Sequence, residues 1–249
     1  MKLIISGVFG RMGKAVAALA AADDDVRVVC GVDIAPGAAD FPVAERIEDY
    51  KGEADVIIDF SHHSGTVAIC DYAASRGIPL VLATTGHTEE EKAHIAAASE
   101  KTAIFMSANM SMGVALLNKL CKEAAAFLDG ADIEIIEKHH NKKLDAPSGT
   151  ALMLAEGIKS VKEESVFVLD RSSIRQARGK NEIGIQSVRA GNIVGEHEVL
   201  FALGNEHITL SHSAFNRELF ADGAFKAAKF LVGKAPRLYN MDDLVAENK

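Results

Sequence analysis

Tryptophan is absent from this 249-residue sequence, proline occurs five times, and there are only three cysteines. Cys30, Cys70 and Cys121 are far apart, odd in number and without a C-x-x-C pair, so neither a disulfide framework nor a cysteine zinc site is supported. Each reads as a small buried hydrophobe in a reducing cytoplasm. No stretch approaches membrane-spanning length without a charge. The start, Met-Lys-Leu-Ile-Ile-Ser-Gly, runs straight into a strand and turn and does not read as a signal peptide. A basic excess is also missing. The net charge of −8 argues against a nucleic-acid partner, which calls for a basic face. What is present is ordinary for a globular chain: 48% hydrophobic and 25% charged residues, enough for one large or two modest domains with real cores.

The first half alternates strands and helices. Residues 2–6 read as a short apolar strand, followed by Gly7-Val8-Phe9-Gly10-Arg11-Met12-Gly13 and an Ala-rich helix to about Ala22. Strand, glycine turn and helix are the setting of a dinucleotide-binding turn, where glycine permits tight turning and close approach of a pyrophosphate. A second strand, Val26 to Asp33, ends in an acid placed to hydrogen-bond ribose hydroxyls. Ile34 follows it, so no adjacent base awaits a 2′-phosphate, although Arg11 and Lys14 are nearby in sequence. Further strands are expected at 54–60, 78–83 and 103–107. They lead into Ser61-His62-His63, Thr84-Thr85-Gly86 and Ala108-Asn109-Met110-Ser111, and each turn is followed by a helix. The His62–His63 pair has no acid or cysteine at ligand spacing, so no metal site is expected there. Right-handed crossovers put all these junctions on one sheet edge, where a nicotinamide cofactor would lie.

After Asp132 strands dominate, expected at 133–138, 165–169, 182–190, 194–203 and 207–212. Ile183, Ile185 and Val188 among polar neighbours suggest a sheet with one covered face. The polar, basic stretch 171–181 reads as a mobile loop able to close over a ligand. A last helix from Arg217 to about Val232 is expected to cover the first domain's sheet, and the tail 240–248 carries a short apolar strip.

Residues 134–151 concentrate the chemistry: Glu-Ile-Ile-Glu-Lys-His-His-Asn-Lys-Lys-Leu-Asp-Ala-Pro-Ser-Gly-Thr-Ala. A strand ending at His139 and His140 points successive side chains to opposite faces, giving the two imidazoles different environments. Ser148 or Asp145 can cap the helix that follows, and a helix start near Lys142 and Lys143 suits a carboxylate or phosphate. Anion binding beside a titratable acid is the implied chemistry.

This run resembles the H-H-x-x-K-x-D-x-P-S-G-T-A signature of the dihydrodipicolinate reductase family, reductases of the diaminopimelate route to lysine. Gly7-x-x-Gly10-Arg11-Met12-Gly13, Thr84-Thr85-Gly86, Ala108-Asn109 and Val188-Arg189-Ala190-Gly191-Asn192-Ile193-Val194-Gly195-Glu196-His197 resemble other family segments in the same order. The resemblance implies an α/β chain with two domains. Residues 1–110 and 217–249 would form a Rossmann-like dinucleotide-binding domain, and 111–216 an α+β, mixed-sheet domain for substrate binding and homotetramer formation. It implies NADH or NADPH contacts from Gly7, Val8, Phe9, Gly10, Arg11, Met12, Asp33, Phe60, Ala83, Thr84, Thr85, Ser107, Ala108, Asn109 and Met110. His139 would be the proton donor and acceptor and Lys143 a proton donor, with His140, Gly149 and Thr150 binding substrate. Some members carry arginine where this chain has Ile34, so NADH is expected to serve at least as well as NADPH. A different two-domain reductase would not need the His-His-x-x-Lys and Ser-Gly-Thr pairing. A silent dinucleotide sensor would have no use for His139 and Lys143.

Overall fold

The computed structural model describes residues 1–247. In chain order the elements are β1 (Lys2–Ser6), α1 (Arg11–Ala21), β2 (Arg27–Val32), β3 (Val43–Ala44), β4 (Val56–Asp59), α2 (Thr66–Arg76), β5 (Leu80–Leu82), α3 (Glu89–Ser99) and β6 (Ala103–Met106). There follow α4 (Met112–Phe127), β7 (Asp132–His139), α5 (Gly149–Lys159), β8 (Val166–Val168), β9 (Glu182–Arg189), β10 (Gly195–Ala202) and β11 (His207–Ala214). The chain closes with α6 (Glu218–Leu231), β12 (Arg237–Tyr239) and α7 (Met241–Glu247). It divides into two compact units, Met1–Ser111 together with Glu218 onward, and Met112–Arg217.

The first unit is a parallel sheet in the order β12-β6-β5-β4-β1-β2-β3. Its central strands are unbroken apolar runs because both faces are covered. Leu3, Ile4 and Ile5, Val56 to Ile58 and Leu80 to Leu82 are all 0% exposed. At about 1.5–3 kcal/mol for each fully buried aliphatic side chain, these runs dominate the unit's stability. The helices α2 and α3 bury Ile69, Cys70, Ala73 and Ile95 against Ile4, Ile57 and Leu80. On the sheet α6 packs against β4, β5 and β6 and also against α1. The expected cover by the last helix is therefore present. Because every strand pair is parallel, the strand C-termini share one edge.

The second unit is a mixed sheet, β11-β10-β7-β9-β8, with β7, β9 and β8 parallel and β10 antiparallel to β7 and β11. Along β7 burial alternates: Ile133, Ile135, Glu137 and His139 face inward, while Glu134, Ile136 and Lys138 face out. The inward residues meet Leu117 and Cys121 of α4 and Leu154 and Ile158 of α5. The other face carries no helix of this unit.

Two expectations are corrected. Val188 does not share the face of Ile183 and Ile185, since it pairs with Lys138 on the outward side and is 41% exposed. The stretch 171–181, expected to be able to close over a ligand, is tied instead to the starts of β7 and β9. Arg178 donates to the Ile133 carbonyl (3.2 Å) and pairs with Asp132 (2.6 Å) at the start of β7. His139 ends that strand, roughly 20 Å away at the usual rise per residue. The apolar strip expected in the tail lies in α7, where Met241 and Leu244 are buried, and residues 248 and 249 lie outside the described residues. Among the described residues no helix is long and apolar enough to cross a membrane.

Candidate active site

In the first unit the sheet edge opens into a cleft of about 590 Å³ whose lining includes Gly7, Phe9, Gly10, Asp33, Ile34 and Phe60. Gly7 sits at φ +75°, and a Cβ there would stand 2.7 Å from the Phe60 carbonyl oxygen. A Cβ on Gly13 would fall 2.1 Å from the Gly7 carbonyl oxygen, so the first turn of α1 needs glycine to lie on the turn at all. Gly10 is the N-cap of α1 and places no side chain over its first turn. A bare helix start beside a glycine turn is the cradle a pyrophosphate requires. Asp33 accepts from the Phe9 N–H at 2.8 Å and the Ala35 N–H at 2.9 Å, which fixes its carboxylate at the cleft. The residues present therefore fit a dinucleotide.

Not every expected cofactor residue lines this cleft. Val8 is turned into the core beside Gly31, which leaves only its backbone for a ligand. Arg11 and Met12 belong to the first turn of α1. Ala83, Thr84 and Thr85 follow β5, and Ser107, Ala108, Asn109 and Met110 follow β6, on the same edge but outside the lining. Thr84 is held there by Asp59, fully buried, whose Oδ2 accepts from the Thr84 hydroxyl at 2.7 Å. Met110 is 3% exposed. Glu45, Arg46 and Glu48 also line the cleft. They follow a two-residue strand too short to leave a periodic signal.

In the second unit the end of β7 gathers a polar cluster. Glu137, with 0% exposure, lies two residues before His139 and on the same face. Its Oε2 stands 2.5 Å from His139 Nδ1. Arg189 clamps both carboxylate oxygens, Nη1 at 2.8 Å and Nη2 at 2.7 Å, and the Ser148 N–H donates to Oε1 at 3.0 Å. Burial alone would raise the Glu137 pKa, but the bonds from Arg189, Ser187, His139 and Ser148 outweigh it and draw it down to about 2. The His139 pKa is lowered by burial, opposed by Glu137 and assisted by Lys143 and Arg189.

Ser148, not Asp145, caps α5, accepting from the Ala151 N–H at 3.2 Å. Its hydroxyl lies 3.1 Å from His197 Nε2, and burial takes His197 down to about 4. At neutral pH His197 is therefore uncharged, with Nε2 turned to the serine hydroxyl. His139 and His197 meet edge to face, with centroids 5.2 Å apart. Asp145 pairs with Lys143 at 2.8 Å instead. His140, just past the strand, has Nδ1 buried and unpartnered, while Nε2 lies 3.4 Å from Arg217. Gly149 is exposed and opens α5 onto free space, and Thr150 follows it in the first turn. Thus His139, His140, Lys143 and the start of α5 are brought together. Glu137, Arg189, His197 and Arg217 stand in the stretches quoted from the sequence but received no role there. The step of two along β7 would have found Glu137.

The model described as dihydrodipicolinate reductase, N-terminus, matches residues 1–110, and that described as the C-terminus matches residues 113–245. The chain belongs to this family. It is a family of pyridine-nucleotide-dependent oxidoreductases. A 4-hydroxy-tetrahydrodipicolinate reductase from Caldanaerobacter subterraneus subsp. tengcongensis is 53% identical over 246 residues, covering 98% of each chain. One from Clostridium novyi is 44% identical over 247 residues, again covering 98% of each. Among solved structures, dipicolinate-bound dihydrodipicolinate reductase from Paenisporosarcina sp. TG-14 aligns with a TM-score of 0.83 at 25% identity, over 98% of both chains. An amine dehydrogenase from Mycobacterium smegmatis shares the fold, with a TM-score of 0.66 at 10% identity over 97% of this chain and 95% of that one.

Proposed function

We propose that this chain reduces (2S,4S)-4-hydroxy-2,3,4,5-tetrahydrodipicolinate to 2,3,4,5-tetrahydrodipicolinate with loss of water, using NADH or NADPH, in the diaminopimelate route of lysine biosynthesis. The observation that carries the reading is the gathering of His139, His140, Lys143 and the start of α5 at one end of β7. The first unit holds the dinucleotide, through the glycine turn, Asp33 and the turns after β4, β5 and β6. The second unit holds the substrate. When bound, the reduced nicotinamide supplies the hydride.

The substrate is a cyclic imine dicarboxylate. Loss of its hydroxyl leaves a conjugated system that accepts hydride at ring carbon four, and the resulting enamine-type anion must be protonated. His139 delivers and recovers that proton, and Lys143 is a second donor. The two carboxylates are met by His140, Lys143 and the N–H groups at Gly149 and Thr150, with Arg217 adding a cation beside His140. The open face of the five-stranded sheet supports assembly into a homotetramer. A net charge of −8 argues against a nucleic-acid partner. Three unpaired, buried cysteines suit the reducing cytoplasm.

The test is a coupled assay following NADH absorbance, with substrate generated in situ from pyruvate and aspartate semialdehyde. Wild type is expected to turn over, and His139→Gln to lower kcat by roughly 10²–10⁴, the range for one acid–base group. Near-normal turnover in the variant would remove the role given to His139, and none in wild type would remove the reading.

A further inference from the structure

We infer that Glu137 is a positioning residue for the reaction: it sets the His139 tautomer, so that Nε2 is the atom that exchanges the proton, and ties that imidazole to the helix start that receives the substrate. The inference rests on the reading above. A carboxylate at 0% exposure near the end of a strand demands an explanation, because burying a charge is favourable only when it is fully paired. A purely structural answer would end with Arg189, whose guanidinium satisfies both oxygens and knits β7 to β9. Glu137 does more than that answer needs. Oε2 also lies 2.5 Å from His139 Nδ1, and Oε1 also takes the Ser148 N–H.

The consequence for the imidazole follows from hydrogen-bond accounting. Glu137 is ionised and only accepts, so Nδ1 must carry hydrogen in every charge state of the ring. Nε2 is left as the exchanging nitrogen. The space beside it is kept clear by Gly195 at the start of β10, where a Cβ would stand 3.1 Å from His139 Nε2. The consequence for the substrate runs through Ser148. Its N–H is held by Glu137 and its hydroxyl caps α5, so one carboxylate fixes both the proton-bearing ring and the first turn of that helix. The charged and titratable groups facing His139 are Glu137 on its own strand, Arg189 from β9, His197 from β10 and Lys143 from the following turn. Only Glu137 among them is negative. Its removal withdraws the one group that favours the imidazolium.

The experiment has two arms. In the first, Glu137→Gln is assayed across pH. The expected result is a kcat at least about tenfold lower, as for loss of an orienting carboxylate. The limb reporting protonated His139 should move to lower pH by about one unit or more, while KM for NADH stays near wild type. A folded Gln variant with the wild-type kcat and the wild-type limb overturns the inference, as does a lowered kcat with an unmoved limb. The second arm needs no variant. ¹⁵N-histidine-labelled wild type is examined at pH 9, with His139 assigned through the spectrum of His139→Gln. A neutral His139 with hydrogen on Nδ1 supports the inference, and hydrogen on Nε2 sinks it even if Glu137→Gln fails to fold. Absence of turnover in wild type would remove the proposed reaction but leave the tautomer result standing, so the two failures are distinguishable.

Discussion

At the scale of single residues, we propose that choice of nucleotide is decided around Asp33. Ile34 projects into solvent at 87% exposure and gives a 2′-phosphate nothing to pair with. Glu45 and Glu48 join Asp33 in the lining of the same cleft, with Arg46 as its single cation there, and Arg46 is already 3.5 Å from Glu48. Three carboxylates disfavour a phosphate dianion. Steady-state kinetics are expected to give NADH a kcat/KM at least equal to that of NADPH. Ile34→Arg should raise the NADPH value about tenfold, since a charge-assisted bond contributes about 1.5–3 kcal/mol. A large NADPH preference in wild type would refute the assignment. Ile34 was legible in the sequence because only its position after the acid mattered. Glu45, Arg46 and Glu48 were not, because their place depends on how the chain folds back beside β2.

At the scale of elements, the close approach of α6 to the end of β6 is carried by Gly223. An alanine Cβ there would lie 1.6 Å from the Met110 carbonyl oxygen, deep inside contact distance with backbone. Two effects oppose one another. Alanine gains about 1 kcal/mol in helix propensity over glycine, while overpacking against atoms that cannot rotate away costs about 1–3 kcal/mol or more. The second wins at this separation. Gly223→Ala is expected to lower the midpoint of denaturant unfolding, and an unchanged or raised midpoint would mean the helix does not sit so close. The same scale shows where pattern reading succeeded and failed. The strands β1, β4, β5 and β7 were readable because continuous or alternating apolar runs record burial directly. The three-residue β12, with Arg237 and Leu238 exposed, carries no such record and is fixed by its pairing with β6. The stretch 171–181 looked like a lid from its composition alone. Arg171 and Arg178 instead serve carboxylates at the starts of β7 and β9, which composition cannot reveal.

At the scale of the whole molecule, the outward face of the five-stranded sheet holds Ile136, Val188 and Leu200 with the Lys138–Glu196 pair (3.0 Å) among them. A half-apolar sheet face without a covering helix from its own unit is a natural seat for a second copy. Sedimentation velocity is expected to give about four times the 26.5 kDa chain mass. A single-chain mass at micromolar concentration would dismiss the tetramer. The order in which this chain is made adds a further constraint. The sheet that carries the glycine turn also requires α6 and β12, and all of Met112–Arg217 is translated between them and β6. On the ribosome, the half that begins first is therefore the half that finishes last. Until then its apolar strands depend on whatever shelters a nascent chain.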